Sequence, residues 1–262
     1  MQATCKRFVE LAAQRDIPLA QTGFTLRLEE TTIPRQVGLA GSSAIVTATL
    51  NALIEHYRVT DVAFPLPLRP SFVLSVETAE LGINAGLQDR VIQVYEGCMY
   101  MDFAPELIYA RGYGEYERLP TNRLPRLWLA FDKDPSNSGK IHADVKARWQ
   151  RGDRDVHDAM RRIASLADEA RTAILDSDYA RLAAAMRENF KLRRQTYTDA
   201  CLGEKNLQMV EIADALGFAA KFSGSGGAVV GICESEADWD RLEAAYASAG
   251  FAFERLRPHG PS

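Results

Sequence analysis

The sequence predicts an α+β protein built as two domains. Three observations predict it. The 262 residues are enough for one large or two modest cores. Helical and strand periodicities are mixed along the chain. A polar loop, Asp134-Pro-Ser-Asn-Ser-Gly139, interrupts the chain near its middle. We set the boundary there, with residues 1–132 as the first domain and 133–262 as the second.

The elements follow in order. Phe8, Leu11 and Ala12 recur at helical spacing in an opening helix. Phe24, Leu26 and Leu28 alternate with Thr25, Arg27 and Glu29, which predicts a half-buried strand. A glycine-bearing turn leads into a helix over Ala44–Tyr57, with Ser42 or Ser43 as its N-cap. Pro65, Pro67 and Pro70 break the chain before helical stretches at Ser71–Glu80 and Leu87–Tyr95. Strands are predicted at Gly97–Phe103, Tyr113–Arg118 and Leu127–Phe131. From His142 to Leu202 the residues are helix formers, interrupted at Gly152 and Asp176–Asp178, so two or three helices are predicted. The last quarter alternates: helix Asn206–Leu216, strand to Phe222, glycine turn, strand Ala228–Cys233, helix Ala237–Ala249 and strand Phe251–Leu256.

Composition excludes several classes. Apolar residues make up 47% and charged residues 25%, as in ordinary globular proteins. The 31 basic residues against 35 acidic ones leave a net charge of −4, which argues against a nucleic-acid partner. No apolar run reaches the roughly 18 residues of a membrane span, and the N-terminus carries no apolar signal core. Cys5, Cys98, Cys201 and Cys233 form no CxxC or Cys/His pattern, so neither a disulfide framework nor a zinc site is indicated. A cytoplasmic protein without membrane attachment is the expectation.

Three segments could carry chemistry. In Pro34-Arg-Gln-Val-Gly38-Leu39-Ala40-Gly41-Ser42-Ser43-Ala44, a flexible turn feeds a helix N-terminus, where free N–H groups suit a phosphate. It lacks the lysine of a Walker A loop, and an ordinary capped helix is the alternative. In Glu77 to Arg90, Glu77 and Asp89 flank Gly82 and Gly86, and a carboxylate plus a hydroxyl suffices for Mg2+ alongside a phosphate. Two solvated acidic side chains are the alternative there. Lys221-Phe-Ser-Gly224-Ser225-Gly226-Gly227 places three glycines in four residues, which admits a ligand close to the backbone or makes a hairpin turn.

Together and in this order, the segments resemble the later signatures of the GHMP kinases. Pro34–Ala44 looks like the family's phosphate loop with Gly41 inserted, Gly82, Gly86 and Asp89 match a Gly-x-x-Asp segment, and Lys221–Gly227 looks like its last glycine motif. Within the superfamily, the stretches Ile33–Ile45, Glu80–Val91 and Asp134–His142 resemble the glucuronokinases, in which the inserted glycine is itself a feature.

The resemblance implies an N-terminal βαβ-type domain and a C-terminal ferredoxin-like α/β sandwich with added helices. It also implies that the chain begins after the family's usual N-terminal segment. The implied activity is ATP-dependent phosphorylation of D-glucuronate to the 1-phosphate, with Mg2+, ATP and a small sugar acid as ligands. The loop from Pro34, Gly38, Leu39, Ala40 and Gly41 to Ser42, Ser43 and Ala44, with Gly224, Ser225, Gly226 and Gly227, would bind the nucleotide phosphates. Ser43 and Glu77 would hold the metal, and Asp89 would take the proton of the anomeric hydroxyl. Arg90 and Lys140 are candidates for the uronate carboxylate, with Arg35, Arg193 and Arg194 behind them. Another GHMP-type sugar kinase, or a non-catalytic nucleotide-binding or interaction protein, is the alternative.

Overall fold

A computed structural model describes residues 1–30, Ile33, 38–133 and 143–258, the side chains of residues 143 and 144 excepted. Pro34, Lys140 and the polar loop at 134–139 therefore lie outside the described residues. The chain forms two units, Met1–Ile33 with Ala40–Arg118, and Pro34–Leu39 with Leu119–His259.

The first unit is mostly helical. Helix α1 (Gln2–Gln14) buries Phe8 and Ala12, and α2 (Gly41–His56) buries Val46, Leu50 and Leu53. Phe8, Val46, Leu50 and Leu53 form one apolar core with Phe64, Phe72, Val73 and Val76. The last three come from α3 (Arg69–Ser75) and the wider turn that continues it, Val76–Glu80. Helix α4 (Leu87–Tyr95), strand β1 (Cys98–Asp102), helix α5 (Pro105–Arg111) and strand β2 (Glu115–Leu119) follow, and β1 and β2 pair as a small sheet. Helix α5 was not predicted, although Pro105 at its first position and left-handed Gly112 after it are ordinary helix boundaries.

The predicted strand at Phe24–Glu29 does not form. Alternation makes a strand only where a neighbour completes its ladder, and residues 24–29 take no strand structure. Instead the Phe24 ring meets His56 and Tyr57 edge-on, at 5.3 and 6.2 Å between centroids, and Leu28 stays exposed.

The second unit opens with strand β3 (Arg126–Phe131), which lies before the boundary set at 132/133. Helices α6 (Ala143–Arg151), α7 (Arg154–Asp176), α8 (Tyr179–Tyr197), α9 (Asp199–Leu202) and α10 (Glu204–Ala215) follow. Breaks fall at Gly152 and at Ser177–Asp178, where the spacing placed them. Strands β4 (Ala220–Phe222) and β5 (Ala228–Cys233), helix α11 (Glu236–Ser248) and strand β6 (Ala252–Leu256) complete the unit. The sheet order is β4-β5-β3-β6, antiparallel throughout. Counting β3 as its first strand, that is the ferredoxin-like order 4-1-3-2 read from the other edge, with helices added between its first two strands.

Trp128, fully buried, anchors the core of this unit. Its ring lies against Tyr246 and Phe253 at 5.3 and 5.8 Å. Across the ladder Trp128 pairs with Gly231, where a Cβ would lie 2.0 Å from the indole. Glycine is thus the residue that lets the indole lie on the sheet. Gly231→Ala should destabilise the protein by about 1–3 kcal/mol, the usual cost of overpacking. A urea unfolding midpoint unchanged from the wild type would contradict this packing.

Candidate functional site

The phosphate-loop segment enters α2 without a side-chain cap. Ala40 sits in the left-handed region at φ 57°, a conformation that disfavours a Cβ. The helix starts at Gly41, so Ser42 and Ser43 fall inside its first turn and the predicted serine N-cap does not form. The buried Ser43 hydroxyl donates back to the Ala40 carbonyl at 2.9 Å, while Ser42 is exposed. The first N–H groups of α2 lack a side-chain acceptor, which is the arrangement that takes an anion.

Glu77 lies in the turn Val76–Glu80, where the Leu81 N–H reaches the Val76 carbonyl five residues back. Such single π-turns recur at functional sites. The Glu77 carboxylate is fully buried, not solvated. Arg90 of α4 donates from Nε and Nη2 to its Oε2, at 2.6 and 2.5 Å. Arg90 Nη1 donates to the Gly86 carbonyl at 3.0 Å and to Asp89 Oδ2 at 3.2 Å. The structure thus gathers Glu77, Asp89 and Arg90, and all three Arg90 nitrogens are engaged within the protein.

Glu77 Oε1 is buried and, among the described residues, has no hydrogen-bond partner. A buried carboxylate oxygen without a donor is unfavourable unless a cation or donor completes it. It therefore fits a metal ligand of the hard-oxygen kind that Mg2+ uses. Ser43 spends its hydrogen on Ala40 and keeps its lone pairs, which also suits a cation. Asp89 is partly exposed, and burial pushes its carboxyl above the ordinary carboxylate value, against the opposing pull of Arg90.

In the second unit, Gly38 packs on the turn at 224–227. A Cβ on Gly38, at φ 70°, would lie 2.7 Å from the Gly226 carbonyl, and one on Gly224 would lie 3.0 Å from the Gly38 carbonyl. The two glycine segments touch backbone to backbone. Asn206, missed from the sequence, fastens the turn by accepting from the Gly227 N–H at 2.7 Å and donating to the Leu202 carbonyl at 2.8 Å. Its one sequence signal is its place at the start of a predicted helix.

Lys221 and Arg193 stand beside this turn. Burial, and then the charge of Arg193, push the Lys221 ammonium down to about 8, and burial lowers Arg193 as well. Lys140 and Pro34 lie outside the described residues. Arg194 pairs with Asp199 at 2.6 Å and Glu211 at 3.2 Å on the surface.

Residues 3–97 match the GHMP kinases N terminal domain, and residues 170–252 match the GHMP kinases C terminal domain. The chain belongs to the GHMP kinase family. Within it, the chain is similar to glucuronokinase 1 of Arabidopsis thaliana, 45% identical over 98% of this chain and 70% of the relative. Among solved structures, the fold is similar to Streptococcus pneumoniae phosphomevalonate kinase in complex with phosphomevalonate and AMPPNP. That match has a TM-score of 0.73 at 17% identity and covers 97% of this chain and 80% of that one. Lactococcus lactis galactokinase complexed with galactose gives a TM-score of 0.67 at 13% identity over 97% and 74% of the two chains.

Two outcomes test this geometry. Glu77→Gln removes the buried counter-charge of Arg90, leaving it only the part-exposed Asp89, and should cost about 3–5 kcal/mol of stability. Glu77→Met with Arg90→Met should recover most of that loss. Equal urea midpoints for the wild type and Glu77→Gln would contradict the buried pair. For Lys221, the unfolded chain holds a proton that the folded chain lacks between about pH 8 and the ordinary value of 10.5. Stability relative to Lys221→Met should therefore rise with pH across that window, and a flat difference in unfolding free energy would contradict it.

Proposed function

We propose that the chain is an ATP-dependent sugar kinase that phosphorylates the anomeric hydroxyl of D-glucuronate, giving D-glucuronate 1-phosphate and ADP. The observation that carries the substrate is the 45% identity, along nearly the whole chain, to a relative named a glucuronokinase. A cytoplasmic location suits the four free cysteines, and among the described residues no helix is long and apolar enough to cross a membrane.

Phosphoryl transfer needs positioning and charge neutralisation more than covalent chemistry. We assign phosphate binding to the uncapped N–H groups of Gly41, Ser42 and Ser43, and backbone contacts to the ligand to Gly38 and Gly224–Gly227. Glu77 Oε1 and the Ser43 hydroxyl would hold Mg2+, which when bound neutralises charge on the phosphate oxygens. Arg90 fixes the Glu77 carboxylate by occupying its other oxygen. Asp89 accepts the hydrogen bond of the anomeric hydroxyl and takes its proton as that oxygen attacks the terminal phosphorus. Its raised carboxyl value makes it a better proton acceptor than an exposed aspartate.

ADP release in the presence of Mg2+ should be seen with D-glucuronate, and be weak or absent with D-glucose and D-galacturonate. Asp89→Asn should lower kcat by about 10²–10⁴, the usual share of a general base, with nucleotide affinity near that of the wild type. Wild-type turnover by Asp89→Asn would remove the base from Asp89, and equal turnover of all three sugars would remove the uronate specificity.

A further inference from the structure

Arg193 of α8 is flanked by the rings of Tyr197 and Phe222, its guanidinium carbon 5.2 and 5.1 Å from their centroids. Rings stacked on a guanidinium leave its edge as the hydrogen-bonding side, and that edge matches a carboxylate or phosphate. Here the edge is largely unspent. Nη2 donates to the Ser225 carbonyl at a long 3.3 Å, and Nε is buried with no partner among the described residues. Lys221 of β4 follows the same pattern: its ammonium donates to the Phe222 carbonyl at 2.8 Å and, among the described residues, forms no ion pair. Arg193 likewise pairs with no carboxylate among the described residues, unlike its neighbour Arg194, which holds two.

Two cations near each other, both partly withdrawn from water and without a counter-charge, are unfavourable in an apolar surrounding. The lowered proton affinity of each expresses that cost. An arriving anion would relieve it. The pair borders the glycine turn to which ligand contacts are assigned above, because Ser225, whose carbonyl Arg193 reaches, lies within the segment 224–227.

We propose that Arg193 and Lys221 form a recessed cationic pair that binds an anionic oxygen group of the ligand lying on the 224–227 turn, namely the carboxylate of the sugar acid. This rests on the proposed kinase function for the identity of the sugar. A phosphoryl group has the same chemistry, and the test separates the two sources. In this account Arg90, engaged by Glu77, Asp89 and Gly86, serves to position Glu77, and the uronate carboxylate falls to the other pair.

The experiment is calorimetric titration of the full chain with D-glucuronate and, separately, with inorganic phosphate. Wild type, Lys221→Met, Lys221→Arg and Arg193→Gln are compared, with circular dichroism confirming each fold. Loss of one charge-assisted contact should weaken D-glucuronate about 10- to 100-fold in Lys221→Met and Arg193→Gln. Lys221→Arg, which keeps the charge, should restore most of the affinity, and inorganic phosphate should be unaffected. Restoration by arginine separates charge recognition from a packing role. If the variants weaken phosphate and leave D-glucuronate untouched, the carboxylate assignment is overturned in favour of a phosphoryl site. Unchanged affinity for both overturns the pair as an anion site, as does a wild type that binds neither. Wild-type turnover of D-glucuronate alongside unchanged titrations would reject this pair and leave the kinase function standing. Phosphate binding lost in the variants, with no wild-type turnover of D-glucuronate, would reject the sugar assignment.

Discussion

The buried ion pair between Glu77 and Arg90 is the constraint on which the chemistry proposed for the first unit depends. A carboxylate fully removed from water is tolerated only when its oxygens are matched by donors or cations. Arg90 matches one of them twice over. The other, Oε1, has no donor among the described residues. The π-turn at Val76–Glu80 and the start of α4 after Gly86 bring the two residues together although thirteen positions separate them. Arg90 also touches Asp89, so one guanidinium orients both carboxylates assigned to the reaction. Replacing the pair with apolar groups would satisfy packing and abolish the open oxygen. Buried ion pairs contribute little net stability, so the pair is better explained by the proposed function than by packing.

A comparable imbalance of opposite sign marks the second unit. There the frame is backbone: Gly38 against Gly226, Gly224 against Gly38, and Asn206 fastening Gly227. That frame leaves no room for a Cβ at Gly38 or Gly224, and the proposed anion recognition comes from its border, where Arg193 and Lys221 stand. In each unit the telling group is buried, polar and incompletely satisfied.

Much of the fold was legible because it rests on periodicity. Helix α4 and strand β5 lie where the spacing of apolar residues put them, and Gly152 and Asp176–Asp178 mark real helix ends. The segment Phe24–Glu29 shows the limit. Its alternation is genuine, but a strand requires a partner, and partners are not a local property. Helix α5 has only seven residues, too few to show a period. The serines at 42 and 43 fit the chemistry of an N-cap, yet left-handed Ala40 begins the helix earlier and turns the Ser43 hydroxyl inward.

For the site, the sequence named Glu77, Asp89 and Arg90 but could not say what they do to one another. A glutamate in a helical stretch is ordinarily solvated, and nothing in its neighbours announces full burial. Arg90 next to Asp89 suggested a fork for substrate, whereas the fold turns that fork onto Glu77. Arg193 and Arg194 are indistinguishable in sequence. Only packing separates one flanked by rings from one paired on the surface.

The central claim is that Glu77 Oε1 is held open for a metal ion. Mn2+, an EPR-active substitute for Mg2+, can be titrated into the protein saturated with AMPPNP. Wild type should bind it more tightly than the free nucleotide does, and the Glu77→Met, Arg90→Met double variant should lose that gain while remaining folded. Equal Mn2+ affinity in the wild type and the folded double variant would contradict the claim.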